Sequence, residues 1–346
     1  MKLQRSPLQL SLAIATLLST TAMAGDLVVV SYGGANKNAQ TQAYYQPYAK
    51  AHGVNVIGAE WNGEAAKLKS MVDTRTVSWD VVEIDSQLAG RGCEEGILEP
   101  INPAKIDSRA DMMPGALLPC AVGMFVSSTA LAYSPSRLKG TPTGWKDFWD
   151  IKKYPGKRGL RKGALYTLEI ALLADGVAQK DVYKVLATPA GTDRAFRKLD
   201  QIKPYIQWWE SGSQAPQYLL AGDVVMTSAY NGRITNARKE GKDLKLVWDS
   251  GIYEMDYWAI PKGNARKDEA LRFISFATRP ENQKVFSDAI PYGPTNRKTL
   301  KQLAPATVAE LPTATRNLEG AMPLDANFWI EHGEDLEQRF NAWASR

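Results

Sequence analysis

Along the chain the apolar positions switch at short intervals between a strand rhythm and a helix rhythm. Asp26-Leu27-Val28-Val29-Val30-Ser31-Tyr32-Gly33-Gly34 is a β-branched run ending in a Gly pair. Such a run predicts a buried parallel strand that empties into a loop. Residues 40–52 read as a helix carrying Tyr44, Tyr45 and Tyr48, and 54–57 as a second strand. A second helix follows over 63–72, with Ala65, Leu68 and Met71 spaced three apart. Residues 79–85 form a third strand, followed by a helix ending near Gly96. Strand and helix alternate, so the first hundred residues predict an open α/β sheet. Ligands of such sheets bind at the carboxyl ends of strands, which places the loops at 32–36 and 85–87 on one edge of a cleft.

The second half repeats the alternation. Strands are predicted at 129–133, 159–161, 205–208, 224–228, 246–248 and 255–260. Helices are predicted at 167–175 and 190–201, from Asn231 as cap to 240, and over 267–277. The chain has no tandem repeat, low-complexity tract or Gly/Ser tether. Its 346 residues suit two α/β lobes joined by strands.

The first 24 residues have the order of an export signal. Lys2 and Arg5 are followed by an apolar stretch over 8–18 and by Ala22-Met23-Ala24, a small-x-small site that predicts cleavage after Ala24. The apolar stretch is shorter than the ~20 residues of a membrane span. Losing Lys2 and Arg5 takes the net charge from +5 to +3. Export makes the two cysteines informative: an oxidising compartment favours joining Cys93 to Cys120, with a stabilisation of roughly 3 to 4 kcal/mol.

Composition narrows the chemistry. A chain 44% hydrophobic and 23% charged is an ordinary globular protein. His52 and His332 are its two histidines, which argues against His-based catalysis and multi-His metal sites. Two Cys are too few for zinc ribbons or cysteine-held clusters. No Lys/Arg run suggests a nucleic-acid stripe. Phosphate-cradling Gly motifs and a G-x-S-x-G elbow are both missing from the sequence. Tyr44 and Tyr45 lie within a helix, where neighbours point about 100° apart, so core packing explains them better than ferric-ion ligation.

The order and spacing of several segments resemble the spermidine/putrescine-binding family of periplasmic solute-binding proteins that serve ABC importers. These segments are Trp79-Asp80-Val81-Val82, Gly144-Trp145-Lys146-Asp147-Phe148-Trp149 with Tyr154-Pro155-Gly156-Lys157, Ala259-Ile260-Pro261-Lys262-Gly263-Asn264-Ala265, Arg279-Pro280, and Ile290-Pro291-Tyr292-Gly293-Pro294-Thr295-Asn296. The resemblance spans essentially the whole mature chain. It implies a type II periplasmic binding protein fold: two α/β lobes, each an open, mostly parallel sheet flanked by helices, with two hinge crossovers near 128–131 and 255–257. Lobe I is expected over 25–129 plus 257–295, and lobe II over 130–256 plus 296–346.

The resemblance also implies site residues. Asp256 matches an acidic residue that meets a ligand ammonium, Tyr230 and Tyr292 match aromatic walls, and Asp85 falls at an otherwise polar position. Tyr32 stands at the cleft edge before the Gly pair; Glu254 and Gln87 are weaker candidates. Rings and carboxylates together suit an amine. The stretch Arg161-Lys162-Gly163-Ala164-Leu165-Tyr166 departs from the family, because it holds no carboxylate where a second acidic cluster meets the far ammonium of a polyamine. Arg233, in the first turn of its helix, is easier to explain facing an anion. Arg161 or Arg233 paired with Asp256 points to a zwitterion of the 4-aminobutyrate type. The expectation is a monomeric, non-enzymatic periplasmic receptor without cofactor, metal or nucleic acid. It passes a polyamine or an ω-amino acid to an inner-membrane ABC permease. A ferric-ion receptor and a secreted enzyme on the same fold are the alternatives.

Overall fold

The computed structural model describes residues 25–346; the export signal expected over the first 24 residues lies outside the described residues. The strands in chain order are β1 Leu27–Ser31, β2 Val56–Glu60, β3 Val81–Ile84, β4 Leu117–Leu118, β5 Ala121–Tyr133, β6 Arg158–Arg161, β7 Ile206–Trp209, β8 Met226–Tyr230, β9 Lys245–Ala259, β10 Gly293–Pro294 and β11 Met322–Pro323. They form one sheet ordered β2-β1-β3-β9-β5-β8-β6-β7, with β4 and β10 beside β5 and β11 beside β9. Each wing is parallel: β2, β1 and β3 on one side, β7, β6 and β8 on the other. The long β5 and β9 are antiparallel to each other and to their neighbours β8 and β3. They run through both wings.

The apolar cores divide on either side of these crossing strands. On the first wing Val29, Val81, Phe125, Trp258, Phe273 and Phe286 are buried together, and Val30, Trp61, Ile84 and Tyr257 cover the opposite face. On the second wing Leu160, Leu168, Leu172, Ile252, Trp329 and Phe340 share one core, and Trp209, Leu219 and Ile234 another. Cys93 and Cys120 form a disulfide with a Cα separation of 5.6 Å, pinning the turn after helix Ser86–Arg91 to the start of β5.

Several local expectations need correction. β9 is one strand of 15 residues rather than two, with the polar break at Asp249-Ser250-Gly251 bulging out between the pairs Leu131–Val247 and Thr129–Ile252, where Ser250 takes a φ of 62°. β5 begins at Ala121, eight residues ahead of the alternation first recognised at Thr129, since it is buried on both faces and carries no polar period. The helix after β3 ends at Arg91, and turns carry the chain to Gly96. Asn231 is not the cap of its helix. Tyr230 holds that position, and the Asn231 amide instead accepts Ser128 N–H at 3.1 Å and donates to Pro291 O at 2.8 Å. Tyr44 and Tyr45 sit in the first-wing core, Tyr44 stacked on Phe286. Three helices of eight or more residues are not predicted from the sequence: Gln214–Ala221, Pro280–Ala289 and Ala326–Ala344.

Candidate ligand-binding site

The cavity forms where β5 and β9 pass between the wings. Two residues on β3 and its exit, Glu83 and Asp85, share one face by the strand period of two, as do Glu254 and Asp256 on β9. The antiparallel register pairs Ile84 with Tyr257, so the next step sets Asp85 beside Asp256. On the other flank β5 sets Phe125 opposite Asp256 and Ser127 opposite Glu254. Four carboxyl groups therefore converge on one small floor.

Each is held differently. Asp85 caps helix Ser86–Arg91 by accepting Leu88 N–H at 2.8 Å. Asp256 accepts the Ser127 hydroxyl at 3.2 Å. Glu254 accepts hydroxyls from Ser86 at 2.9 Å and from Tyr166. Glu83 lies deepest, receiving the Asn36 amide at 2.7 Å, the Gln40 amide at 2.7 Å and Tyr32 N–H at 3.1 Å. Burial raises all four above ordinary carboxyl values, Glu83 to about 7 and Glu254 to about 8. For Asp256, burial is reinforced by the negative charges of Glu254, Glu83 and Asp85, and the rise is large.

Two guanidinium groups face this floor. Arg233 reaches from helix Asn231–Lys239 and donates Nη1–H to Gly33 O at 2.8 Å and Nη2–H to Tyr32 O at 3.2 Å. Its Nε is buried with no partner among the described residues. Arg161 enters from the end of β6, three strands from β9 in the sheet order. It forms no ion pair among the described residues, and its polar neighbours include the Tyr230 phenol, Glu337, Asp85 and Glu254. Lys162 points elsewhere, pairing with Glu210 at 2.8 Å on the surface.

Aromatic rings complete the walls. Tyr32 stacks on Trp61 with centroids 6.0 Å apart, and Tyr292 stacks on Phe125 at 4.5 Å. Tyr230 stands edge-on to Trp209 and Tyr166. Burial keeps the Tyr32, Tyr230 and Tyr292 phenols neutral. The cavity volume is about 90 Å³, where a single water needs ~10–15 Å³, so a compact solute fits.

All seven residues expected from the sequence line this one cavity: Tyr32, Asp85, Arg161, Tyr230, Arg233, Asp256 and Tyr292. Glu254 joins them and Gln87 does not. Sequence reasoning missed Glu83, Tyr166, Phe125, Ser127 and Asn36. A signal existed for Glu83, a lone carboxylate inside the apolar run Val81-Val82-Glu83-Ile84. None existed for Tyr166, whose place depends on a loop conformation.

Known proteins with this architecture bind solutes. Residues 43–315 match the family of bacterial extracellular solute-binding proteins. The chain is 56% identical over 326 residues to the gamma-aminobutyric acid-binding protein of Pseudomonas aeruginosa, covering 94% of this chain and 92% of that one. It is 25% identical over 273 residues to the spermidine/putrescine-binding periplasmic protein of Salmonella typhimurium, covering 75% and 76%. Among solved structures, a GABA receptor superposes with a TM-score of 0.81 at 32% identity over 92% of this chain and 97% of that one. The periplasmic binding protein AgtB of A. tumefaciens R10 with agropinic acid gives a TM-score of 0.85 at 32% identity, covering 93% and 99%. With most of its length inside that family match, the chain belongs to the bacterial extracellular solute-binding proteins.

Proposed function

We propose that this receptor captures a short ω-amino acid of the 4-aminobutyrate type and delivers it to an inner-membrane ABC permease. The observation that carries the reading is the pair of guanidinium groups facing the carboxyl floor. Arg161 lacks an ion-pair partner among the described residues, and Arg233 keeps a buried Nε–H without an acceptor there. A ligand carboxylate supplies both with an acceptor, and a charge-assisted contact to Arg is strong and directional. The ligand ammonium then meets Asp256, with Asp85 and Glu254 beside it and the faces of Tyr32, Tyr230 and Tyr292 around it. A polyamine would set its second ammonium against Arg161, a buried like-charge contact that is strongly unfavourable. The relative that binds gamma-aminobutyric acid supports the same assignment.

A polyamine is the second reading. It is favoured by the excess of four carboxyl groups over two guanidinium groups and by the spermidine/putrescine-binding relative.

The site assignment carries a closing motion with it. The wings act as lobes that close over the ligand about the crossing strands, with lobe I over 25–129 plus 257–295 and lobe II over 130–256 plus 296–346. The register irregularity between Thr129 and Leu131 on β5 supports a hinge there. Residues 296–300 depart from those bounds and ride with lobe I, because Asn296 bonds to Gln283 and Thr278 and Arg297 donates to Ala110 O. The protein works as a periplasmic monomer after cleavage at Ala24, without catalysis.

A thermal-unfolding panel on refolded mature protein tests the ligand. Putrescine, spermidine, 4-aminobutyrate, 5-aminovalerate and ferric citrate are each added in excess. A ligand at about 100 times its dissociation constant adds roughly 2.7 kcal/mol of stability. The expected result is a raised midpoint with the ω-amino acids alone; a shift with the polyamines alone overturns the assignment.

A further inference from the structure

Glu254 is bonded from both walls of the cleft. Ser86, the first residue of helix Ser86–Arg91 beyond β3, donates to one oxygen at 2.9 Å. The Tyr166 phenol, at the end of the loop that leaves β6, donates to the other. Glu254 itself sits on β9, the strand common to both wings, and is 9% exposed. One carboxyl on a crossing strand thus gathers a hydroxyl from each side.

The loop that delivers Tyr166 is constrained. Tyr166 adopts a φ of 66°, in the left-handed region that a bulky side chain occupies only when its surroundings enforce it. The enforcing contacts come from outside the cavity. Glu337 Oε1 accepts Ala164 N–H at 3.0 Å and Leu165 N–H at 3.2 Å, and the Thr167 hydroxyl donates to Arg161 O at 2.9 Å. Glu337 belongs to helix Ala326–Ala344. The same helix lies against helix Ser86–Arg91, so closely that a Cβ at Gly90 would stand 2.8 Å from Ile330 Cδ1. A single helix therefore braces both elements that supply the Glu254 donors.

We propose that Ser86, Tyr166 and Glu337 are positioning residues for cleft closure, with Glu254 as their joint and helix Ala326–Ala344 as a brace across both walls. Separating the walls breaks at least one of the two O–H···O contacts at Glu254. The closed arrangement is then favoured before any ligand arrives, and apparent affinity scales with the fraction of protein already closed. The affinity readout rests on the ω-amino acid reading; the closure readout does not.

The test uses the mature chain with Tyr166→Phe, Ser86→Ala, Glu337→Ala and Glu337→Gln. Spin labels on opposite rims report the ligand-free distance distribution, and stopped-flow tryptophan fluorescence reports 4-aminobutyrate release. Tyr166→Phe and Glu337→Ala are each expected to enlarge the open population and to speed release about fivefold, the scale of one lost hydrogen bond. Glu337→Gln keeps an oxygen for the Ala164 and Leu165 amides and is expected to stay within about twofold of the parent. The Tyr166→Phe/Glu337→Ala double variant is expected to be no worse than the stronger single one, because both act on one contact. Unchanged distances in Tyr166→Phe, or a Glu337→Gln as impaired as Glu337→Ala, overturn the proposal. Should Glu337→Ala not fold, Tyr166→Phe and Ser86→Ala decide it alone. A parent protein that binds no ω-amino acid defeats the ligand assignment, and the ligand-free distances of the variants then decide whether the joint exists.

Discussion

Arg233 and Gly33, 200 positions apart in sequence, are joined by an Nη1–H···O bond of 2.8 Å across the cleft. The contact explains how a cation is tolerated in the first turn of helix Asn231–Lys239, where it opposes the helix dipole. Backbone carbonyls of the opposite wall supply the negative partner. Arg233 thus ties the walls together with its outer nitrogens, while its buried Nε–H has no acceptor among the described residues.

Arg161 has no such second duty. Replacing it with Met is expected to weaken 4-aminobutyrate binding about 100-fold or more, the scale for stripping one partner from a buried charge pair. The unfolding midpoint of the ligand-free protein is expected to change little, since no ion pair among the described residues is lost. Calorimetric titration beside a melting curve checks both halves.

Gly34 stands where Arg233 passes. Its φ is 55°, and a Cβ there would come within 2.7 Å of Arg233 Nη1. Gly34→Ala is expected to destabilise the protein by about 1 kcal/mol or more through the positive φ alone. It is also expected to weaken ligand binding by displacing the guanidinium. Gly241→Ala is the control, because its φ of 81° meets nothing within 4 Å. It is expected to lower the midpoint and leave affinity intact.

The carboxyl floor makes stability depend on pH. Glu83 and Glu254 bind protons more tightly folded than unfolded, at about 7 and about 8 against an ordinary 4.5. Their contributions are fully present below about 4.5 and disappear as the pH rises through the folded values. Ligand-free protein is therefore expected to lose stability between pH 5 and 8.5, each fully linked proton contributing about 1.4 kcal/mol per pH unit. A ligand ammonium favours the ionised floor, so the stabilisation it brings is expected to grow over the same range. Asp256→Asn separates the two effects. It removes a charge that Glu83, Asp85 and Glu254 oppose, so the ligand-free midpoint at pH 8 is expected to rise while affinity collapses. Melting curves from pH 5 to 8.5, with and without 4-aminobutyrate, show whether the slopes have these signs.

Cys93 and Cys120, 27 positions apart, both lie outside the cavity lining. A Cys93→Ser/Cys120→Ser variant is expected to lose roughly 3 to 4 kcal/mol of stability by the chain-entropy relation. Its ligand affinity below the melting range is expected to match the parent. Denaturant unfolding and titration of the same preparation test this.

Sequence alone settled what is local. The β-branched run at Leu27–Ser31 followed by a Gly pair is a strand and a tight exit in any context, because side-chain branching and glycine freedom act within a few residues. The apolar run within 79–85 likewise read as a strand, and β3 Val81–Ile84 lies inside it. Tertiary structure decided what depends on distant partners. β9 continues past Asp249-Ser250-Gly251 because β5 pairs with it on both sides of the break and β11 joins it at Ile252 and Tyr253. Arg233 looked like a residue for an anion, and the carbonyls of Tyr32 and Gly33 now occupy two of its nitrogens. Tyr166 reaches Glu254 only through a left-handed turn that Glu337, 171 positions further on, helps to hold. Periodicity reports which side of an element is apolar. Which polar groups meet across a cleft is decided by the long-range pairing that satisfies each buried donor and acceptor.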